Sequence, residues 1–308
     1  MILTVTTNPL LDRMLEIPAP QWGHIHRARH GYELAGGKAV NASRAIVRLG
    51  RQTLATGFLG GYTGQRIIEL LAVESIPADF VKIASTTRSG ATLKGTPYPL
   101  TAFYDPPHQL RLGDIGRFID KFMTLLRKAR FCLIAGSMPG DAFPDFYRDL
   151  IQRCKNAGVP VLLDSYGPPL KFGALAAPDV VKINRREAAE TFGFNADDAS
   201  ALHDWMSTQH RLGTRLVIVT DGGNPGRALW DGRIHAVHPP NVIPVNSLGC
   251  GDCVDAGVAI GLTEAWPMER VLAFAFAAGS ANVEVWDPAM IDLLRVQELA
   301  ETVTIEPV

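Results

Sequence analysis

The sequence predicts an α/β fold built on a mostly parallel sheet with helices on both faces. Near-continuous apolar runs, typical of buried strands, alternate with amphipathic segments along most of the chain. Such alternation implies right-handed crossovers between parallel strands. Two irregular segments, Pro18–Leu34 and Arg88–Tyr104, break this rhythm and combine Gly, Pro, Thr and aromatic residues with strand-like alternation. We expect them to form a small β-lid, built from about 13–34 and 88–104, within a single domain spanning 1–308; two unrelated surface loops are the alternative.

The individual elements follow from these patterns in chain order. Buried strands are predicted at Ile2–Thr6, Leu54–Leu59, Phe131–Ala135, Val159–Leu163, Val180–Ile183 and Leu216–Thr220. Amphipathic helices are predicted at Ala39–Leu49 and Phe143–Ala157, each followed by a glycine that stops a helix. The C-terminal third is predicted to be helical, at Gly251–Leu262, Met268–Glu284 and Ile291–Ala300.

Composition excludes several classes of protein. The 308 residues are 47% apolar and 20% charged, which excludes an extended disordered chain. A net charge of −1 argues against a nucleic-acid-binding surface. Four cysteines are too few for a disulfide framework, and Asp12 and Arg13 come too early for a signal peptide. The longest uncharged apolar stretch, Val271–Val283, is shorter than the roughly 20 residues that span a bilayer. We therefore expect a cytoplasmic protein that does not bind membranes.

The segment from Asn246 to Gly257 carries the clearest chemical signal. A strand-like run, Val242–Val245, leads to Gly249, Cys250 and Gly251 and then to a helical pattern. Closely spaced glycines let backbone N–H groups converge, and a helix N-terminus adds partial positive charge, so this loop can stabilise a transferring phosphoryl group. Asp252, in the first turn, can take a proton from an attacking hydroxyl. The alternative is that Asp252 only caps the helix.

Other interpretations of this segment are weaker. The chain lacks Gly-x4-Gly-Lys-Ser/Thr, and its glycines do not fit Gly-x-Gly-x-x-Gly, which argues against a P-loop NTPase and a Rossmann dehydrogenase. Cys250 and Cys253 form a CxxC pair without a thioredoxin-like context, and there is no second CxxC for zinc. Since a helix N-terminus favours the thiolate, we expect thiol reagents to inhibit the protein, unless Cys253 is a core residue and Cys250 merely replaces alanine.

Five motifs in order decide between these interpretations. They are Asn8-Pro9-Leu-Leu-Asp12, Gly36-Gly37-Lys38-Ala-Val-Asn41, Gly136-Ser137-Met-Pro139, Asn184-Arg-Arg-Glu187, and the Thr220-Asp-Gly222 turn that precedes the Gly249–Asp252 loop. With them the chain resembles the PfkB (ribokinase-like) family of sugar kinases over nearly its whole length. The similarity is greatest to the branch of 1-phosphofructokinases and tagatose-6-phosphate kinases.

The resemblance implies a three-layer α/β/α core with a β-lid over the sugar and transfer of a phosphoryl group from ATP, with Mg²⁺, to a sugar hydroxyl. It implies that Asp252 is the general base and that Gly249, Cys250 and Gly251 form the anion hole. The implied sugar-facing residues are Asp12, Gly37, Lys38, Asn41 and Ser137. A cation at the start of a helix is disfavoured by the macrodipole, which favours a functional reason for Lys38.

The resemblance also implies a nucleotide and metal side of the site. Asn184 and Glu187, one helical turn apart after a buried strand, are expected to hold Mg²⁺ and its waters; an N-cap with a capping box is the alternative. Thr220, Gly222 and Asn282 are expected on the adenosine side. Since an unpaired amide in an apolar helix would be costly, Asn282 is expected to have a partner.

Arg88 indicates the substrate class. It resembles the arginine that binds the existing phosphate of a sugar phosphate, and its planar fork suits that contact. We therefore expect a kinase of fructose 1-phosphate or tagatose 6-phosphate that can form a homodimer through the lid, although the oligomeric state stays open. The alternatives are a kinase of an unphosphorylated sugar or nucleoside and a sugar-binding relative without turnover. The sequence departs from the family pattern at Cys250, at Ile183 and after Arg88, so the identity of the sugar stays open.

Overall fold

The computed structural model describes residues 1–94 and 100–308; residues 95–99 of the predicted lid segment lie outside the described part. The strands, in chain order, are β1 (Ile2–Thr6), β2 (Leu10–Glu16), β3 (His30–Gly36), β4 (Thr53–Gly60), β5 (Val81–Ile83), β6 (Ser89–Lys94), β7 (Thr101–Tyr104), β8 (Phe131–Ala135), β9 (Val161–Asp164), β10 (Val180–Asn184), β11 (Leu216–Asp221), β12 (Asn224–Trp230), β13 (Arg233–His238) and β14 (Thr304–Pro307).

The helices are α1 (Lys38–Arg48), α2 (Gly61–Val73), α3 (Leu112–Leu126), α4 (Phe146–Asn156), α5 (Gly167–Ala174), α6 (Arg185–Phe192), α7 (Ala199–Arg211), α8 (Cys250–Thr263), α9 (Met268–Val283) and α10 (Leu293–Ala300). Apart from the strand-like run Val242–Val245, the predicted core strands and helices lie where the sequence indicates, with bounds that differ by up to three residues. In the described part of the chain, no helix is long and apolar enough to cross a membrane.

The main sheet has the strand order β14-β13-β12-β11-β10-β9-β8-β1-β4-β5. From β11 to β5 all neighbours are parallel, as the buried apolar runs predict. Residues on one face of the sheet pack with α1, α8, α9 and α10, and residues on the other face pack with α3, α4 and α7. This is the predicted three-layer α/β/α core, and it brings the carboxyl ends of the parallel strands to one edge.

One edge of the main sheet differs from the prediction. β12, β13 and β14 continue it as an antiparallel meander, and the sequence analysis predicts none of these three strands in its largely helical C-terminal third. The predicted strand at Val242–Val245 is wrong, because that segment is irregular. Pro239, Pro240 and Pro244 lack the N–H groups that a ladder needs, and the Val245 N–H donates to the Val283 carbonyl at 2.7 Å instead.

The lid is a separate four-stranded sheet of order β3-β2-β6-β7. β2 pairs antiparallel with β3 and parallel with β6, so both predicted segments do meet in one sheet. Its strands begin at Leu10, earlier than residue 13, because Leu10 already pairs with Gly36. The chain between β2 and β3 is irregular, and Pro18, Pro20 and Gly23 in it disfavour strand pairing.

Candidate active site

A cavity of about 1230 Å³ lies between the carboxyl edge of the main sheet and the lid. Ligands of open α/β sheets bind at this edge. The predicted site residues that line the cavity are Asp12, Gly37, Lys38, Asn41, Arg88, Ser137, Asn184, Glu187, Thr220, Gly222, Gly249, Cys250, Gly251 and Asp252. Residues separated by more than 200 positions in the chain are therefore brought into one site.

The turn at the start of α8, formed by Gly249, Cys250 and Gly251 and called the anion loop below, has a geometry that suits an anion. Gly249 is the N-cap of α8 with φ 85°, and a Cβ there would lie 2.9 Å from the Pro288 side chain, so this position requires glycine. The N–H groups of Gly251 and Asp252 belong to the first turn, where the helix supplies no acceptors of its own. The partial positive charge of this helix end therefore faces the cavity.

Asp252 is buried at the mouth of this helix. No side chain caps α8, and the Asp252 carboxylate instead accepts a hydrogen bond from the Asn41 amide at 2.7 Å. That amide is oriented in turn by Arg44, which donates to its oxygen at 2.9 Å. Burial raises the pKa of Asp252 to about 6, although Lys38 and Lys182 favour the ionised form. The group is thus poised to exchange a proton near neutral pH.

Lys38 lies at the start of α1, where the helix dipole disfavours a cation, and two carboxylates compensate for this. Its ammonium lies 2.8 Å from Asp164 and 3.4 Å from Glu187. Burial alone would lower the pKa of Lys38, but these carboxylates, with Asp252, raise it above its ordinary value. Lys38 therefore carries a fixed positive charge beside Asp252 and the anion loop.

The sequence analysis missed three buried charged groups beneath the loop. Asp164, at the end of β9, also binds Lys182 of β10 at 2.7 Å, and Asp255 of α8 lies 3.7 Å from the same lysine. All three are buried. A carboxylate ending a buried strand, a lysine inside an apolar run and an aspartate one turn after Asp252 are the signals that could have identified them.

From the lid, Asp12 contributes a buried carboxylate to the cavity. Asp12 of β2 accepts hydrogen bonds from the Thr92 hydroxyl of β6 at 2.8 and 3.0 Å. Burial raises the pKa of Asp12, and the Thr92 and Tyr104 hydroxyls counteract that effect. Asp12 is therefore held by the lid sheet and is not an exposed turn residue after Pro9.

Arg88 reaches the cavity from the start of the lid strand β6. Its Nη2 donates to the Asn8 carbonyl at 3.0 Å, and its guanidinium carbon lies 5.7 Å from the centre of the Tyr104 ring. The Asn8 amide donates to the Ser137 hydroxyl at 3.0 Å, which joins this arginine to the turn after β8. Arg88 Nε has no hydrogen-bond partner among the described residues, so the guanidinium retains donor capacity.

At the other end of the cavity, Asn184 and Glu187 form a capping box on α6. The Asn184 side chain accepts from the Glu187 N–H at 2.8 Å, and the Glu187 carboxylate accepts from the Asn184 N–H at 3.4 Å. The capping box expected as the alternative for this pair is therefore present, and both residues also line the cavity. Thr220 and Gly222 lie nearby at the end of β11, together with apolar lining residues Val242, Phe276 and Val283.

Asn282 is fully buried and is not among the described residues that line the cavity, so its place on the adenosine side stays a prediction. It has the expected partners: its Nδ2 donates to the Leu248 carbonyl at 2.8 Å and contacts Cys250 Sγ at 3.2 Å, and its Oδ1 accepts from the Ala289 N–H at 2.5 Å. Asn282 thus holds the anion loop from behind.

The expectation of a reactive thiolate is wrong in direction. Burial raises the pKa of the Cys250 thiol to about 11, and it raises the pKa of Cys253 well above its ordinary value. Because desolvation outweighs the helix end here, both thiols stay protonated at neutral pH. The described cysteines are all free.

The comparison with known families agrees with this geometry. The sequence model described as "pfkB family carbohydrate kinase" matches residues 10–289. The chain belongs to this family of carbohydrate kinases. Such a kinase uses ATP as the phosphoryl donor, and the three-layer core with its lid is the expected ribokinase-like fold.

Relatives of this carbohydrate kinase cover almost its whole length. A 1-phosphofructokinase from Bacillus subtilis is 28% identical over 282 residues, which is 92% of each protein. The structure named possible 1-phosphofructokinase from Thermotoga maritima is 25% identical, with a TM-score of 0.89 over 100% of this chain and 99% of that one. The phosphofructokinase-2 of Escherichia coli, 23% identical with a TM-score of 0.91 over 98% of both chains, shares the fold.

Proposed function

We propose that this kinase transfers the terminal phosphoryl group of ATP to a hydroxyl of a phosphorylated ketohexose, such as fructose 1-phosphate or tagatose 6-phosphate. The observation that carries the substrate class is Arg88, a half-buried guanidinium that faces the cavity from the lid with an unpartnered Nε. A guanidinium with free donors suits a phosphate monoester. The names of the Bacillus and Thermotoga relatives support the same class.

Asp252 acts as the general base in this proposal. Asn41 holds its carboxylate at the lip of the anion loop, where it can accept the proton of the attacking hydroxyl. The hydroxyl oxygen forms a bond to the terminal phosphorus, the bond from that phosphorus to the bridging oxygen breaks, and ADP leaves with the electron pair. The proton of the sugar hydroxyl ends on Asp252.

The anion loop and the buried lysines stabilise the charge of the phosphoryl group in flight. Gly249, Cys250 and Gly251 supply backbone and helix-end donors, and Lys38 lies beside them with its charge fixed by Asp164. Preorganised donors in a site that excludes water are worth several kcal/mol per group, of order 3 to 4, in a transition state. Asp12, Gly37 and Ser137 orient the sugar from the lid and the adjacent turns.

Glu187 and Asn184 are the residues that fit the Mg²⁺ accompanying ATP. Both offer oxygen donors at the cavity, and the contacts of the Glu187 carboxylate to Lys38 and to the Asn184 N–H are long, 3.4 Å each, so it keeps acceptor capacity. Oxygen ligands and retained waters are what Mg²⁺ prefers. When bound there, the ion would neutralise part of the triphosphate charge. Thr220 and Gly222 would lie along the nucleotide.

Screening wild-type turnover tests the proposal. ADP release is measured with ATP and matched pairs of ketohexoses with and without a phosphate. The proposal predicts that a phosphorylated ketohexose exceeds its unphosphorylated partner in kcat/KM by about tenfold to a hundredfold, because it alone uses Arg88. Equal or higher kcat/KM for unphosphorylated sugars or nucleosides would move the enzyme to the alternative substrate class. An absence of ADP release with all of them would favour a sugar-binding relative.

The exposed face of the lid supports a homodimer as a further proposal. Trp22 and Ile25 are 90% and 91% exposed, and Trp22 packs edge-on against Phe103 at 6.1 Å between ring centres. Clustered exposed aromatic residues are typical of interaction surfaces. Light scattering of wild type and Trp22→Glu tests it: a dimer that the substitution converts to a monomer supports it, and a monomeric wild type contradicts it. The free cysteines support a cytoplasmic location.

A further inference from the structure

A cluster of buried charges lies directly beneath the anion loop. Ligand oxygens of Asp164, Asp252 and Asp255 lie within 4.8 Å of one another. Lys38 and Lys182 approach the cluster from α1 and β10. The proposed function assigns no role to Asp255, although it lies one helical turn after Asp252.

The charges of this cluster do not balance if every group is ionised. Three carboxylates face two ammonium groups, and Lys38 also shares its charge with Glu187. Asp255 is fully buried, and neither of its oxygens accepts a hydrogen bond from any described donor. Its nearest cation, Lys182, lies at 3.7 Å, beyond hydrogen-bond distance. An ionised carboxylate in such a place would be both unpaired and desolvated.

The position of Lys182 makes this imbalance relevant to the reaction. A Cβ on Gly251 would lie 2.6 Å from Lys182 Nζ, so the ammonium lies directly against the backbone of the anion loop. Lys182 donates to Asp164 at 2.7 Å. A second ionised carboxylate, on Asp255, would cancel the positive charge just where the phosphoryl group has to be stabilised.

We propose that Asp255 is a positioning residue held as a neutral carboxylic acid, which donates its proton in a hydrogen bond to Asp164 and leaves the charge of Lys182 directed at the anion loop. With that proton the cluster contains two ammonium groups, the Asp164 carboxylate and the Asp252 carboxylate. The donated hydrogen bond also fixes Asp164, whose two oxygens each bind one lysine.

The groups around Asp255 are consistent with the neutral form. Asp164, Asp252 and Lys182 are the charged groups that act on it, and Lys38 binds the Asp164 oxygen that Lys182 does not. Burial, followed by the two neighbouring carboxylates, raises the pKa of Asp255 well above its ordinary value despite Lys182. A metal ion is a poorer third cation, because Lys38 and Lys182 already occupy both oxygens of Asp164.

Infrared difference spectroscopy on the protein without substrates tests the proposal directly. The wild type minus Asp255→Asn spectrum at about pH 7 should contain the carbonyl stretch of a protonated carboxylic acid, shifted in D₂O, because that acid stays neutral far above the usual carboxyl pKa. The absence of this band would overturn the proposal. Stoichiometric metal in the purified protein that is lost in Asp255→Asn would overturn it in favour of a cation site.

Kinetics provide a second readout, which rests on the proposed role of Asp252. Asp255→Asn keeps a neutral donor, so its kcat should stay within about threefold of wild type and the acid limb of its pH profile should not move, whereas Asp255→Leu lacks the donor and should lose about tenfold in kcat. An acid limb moved by about one pH unit or more in Asp255→Asn would mean that Asp255 carries charge in the wild type. If Asp252 is not the base, the infrared result still stands by itself.

Discussion

The floor of the cavity and its lid are built in opposite ways. On the floor, Asp252, Asp164 and Lys182 come from the core, are buried, and each has charged neighbours within the same cluster. The lid is a four-stranded sheet whose last strand, β7, is exposed along its whole length, and its polar contacts with the rest of the described chain include Tyr32 with Asp287 and Lys94 with Trp286.

In the proposed function, this difference separates two tasks. Phosphoryl transfer needs charges fixed before the substrate arrives, because reorientation during the reaction would cost free energy. Substrate recognition needs a surface that can open and close over the sugar, and such elements have fewer buried contacts. Substitutions in the floor should therefore reduce turnover or stability, and substitutions in the lid should mainly change KM for the sugar.

The largest effect is expected for Asp252→Asn. The substitution removes the proton acceptor but keeps the shape and the contact with Asn41, so kcat should fall by a factor on the order of 10² to 10⁴. Binding of ATP and of the sugar phosphate, measured by calorimetry, should change little. Turnover near the wild-type rate would mean that the carboxylate is structural only.

Stability should show the contrast between buried and surface charges most clearly. Lys182→Met leaves Asp164 without its shortest ion pair and should lower the free energy of unfolding by about 3 to 5 kcal/mol. Arg148→Met is the matched control. Because Arg148 and Asp145 are both about half exposed, this substitution should lower the free energy of unfolding by less than about 1 kcal/mol. Chemical denaturation measures both. Equal losses of unfolding free energy in the two variants would contradict the distinction between the buried charges of the floor and charges at the surface.

In the lid, Arg88→Ala should act on one substrate only. Loss of a charge-assisted contact of roughly 1.5 to 3 kcal/mol raises KM for the sugar phosphate by about tenfold to a hundredfold and leaves KM for ATP nearly unchanged. Arg88→Lys keeps the charge but not the planar fork, so its KM for the sugar phosphate should lie between the values of wild type and Arg88→Ala. A similar rise of both KM values would contradict a contact specific to the sugar phosphate.

The smallest effect is expected at Cys250. Since burial raises the pKa of this thiol to about 11, the reactive thiolate is scarce at neutral pH. Alkylating reagents should therefore inhibit wild type and Cys250→Ala slowly and equally, and the variant should keep near-normal turnover. Rapid inhibition of wild type alone, prevented by ATP, would restore the idea of a reactive thiol.

Local patterns were sufficient to predict the parallel core and most of the cavity. Apolar runs mark the strands, and glycine spacing marks the loop before α8, since both depend on neighbouring residues. The antiparallel strands β12 to β14 were missed because their pairing is decided across the sheet. Val242–Val245 was misassigned because the apolar pattern does not show that the neighbouring prolines have no N–H groups to donate to a strand ladder.

The charged floor could not be predicted for a different reason. Asp164, Lys182 and Asp255 lie on three elements, and only the fold brings them together. Asn282 illustrates the same limit: the cost of a buried amide predicts a partner, but not that the partners are the anion loop and the Ala289 N–H. Residue type indicates what chemistry a side chain can perform, but only the three-dimensional structure shows which residues lie together.

The pH dependence of kcat/KM for the sugar phosphate tests the central claim, that a buried Asp252 accepts the proton, most directly. Burial raises the pKa of Asp252 to about 6, and in the proposed mechanism only its carboxylate form accepts the proton. The rate should be constant above that pH and fall about tenfold per pH unit below it. The residual rate of Asp252→Asn, measured with the same substrates, should lack this limb, which separates it from ionisation of the substrate's phosphate. A limb of the same position and slope in both proteins, or a flat profile in the wild type, would contradict the account.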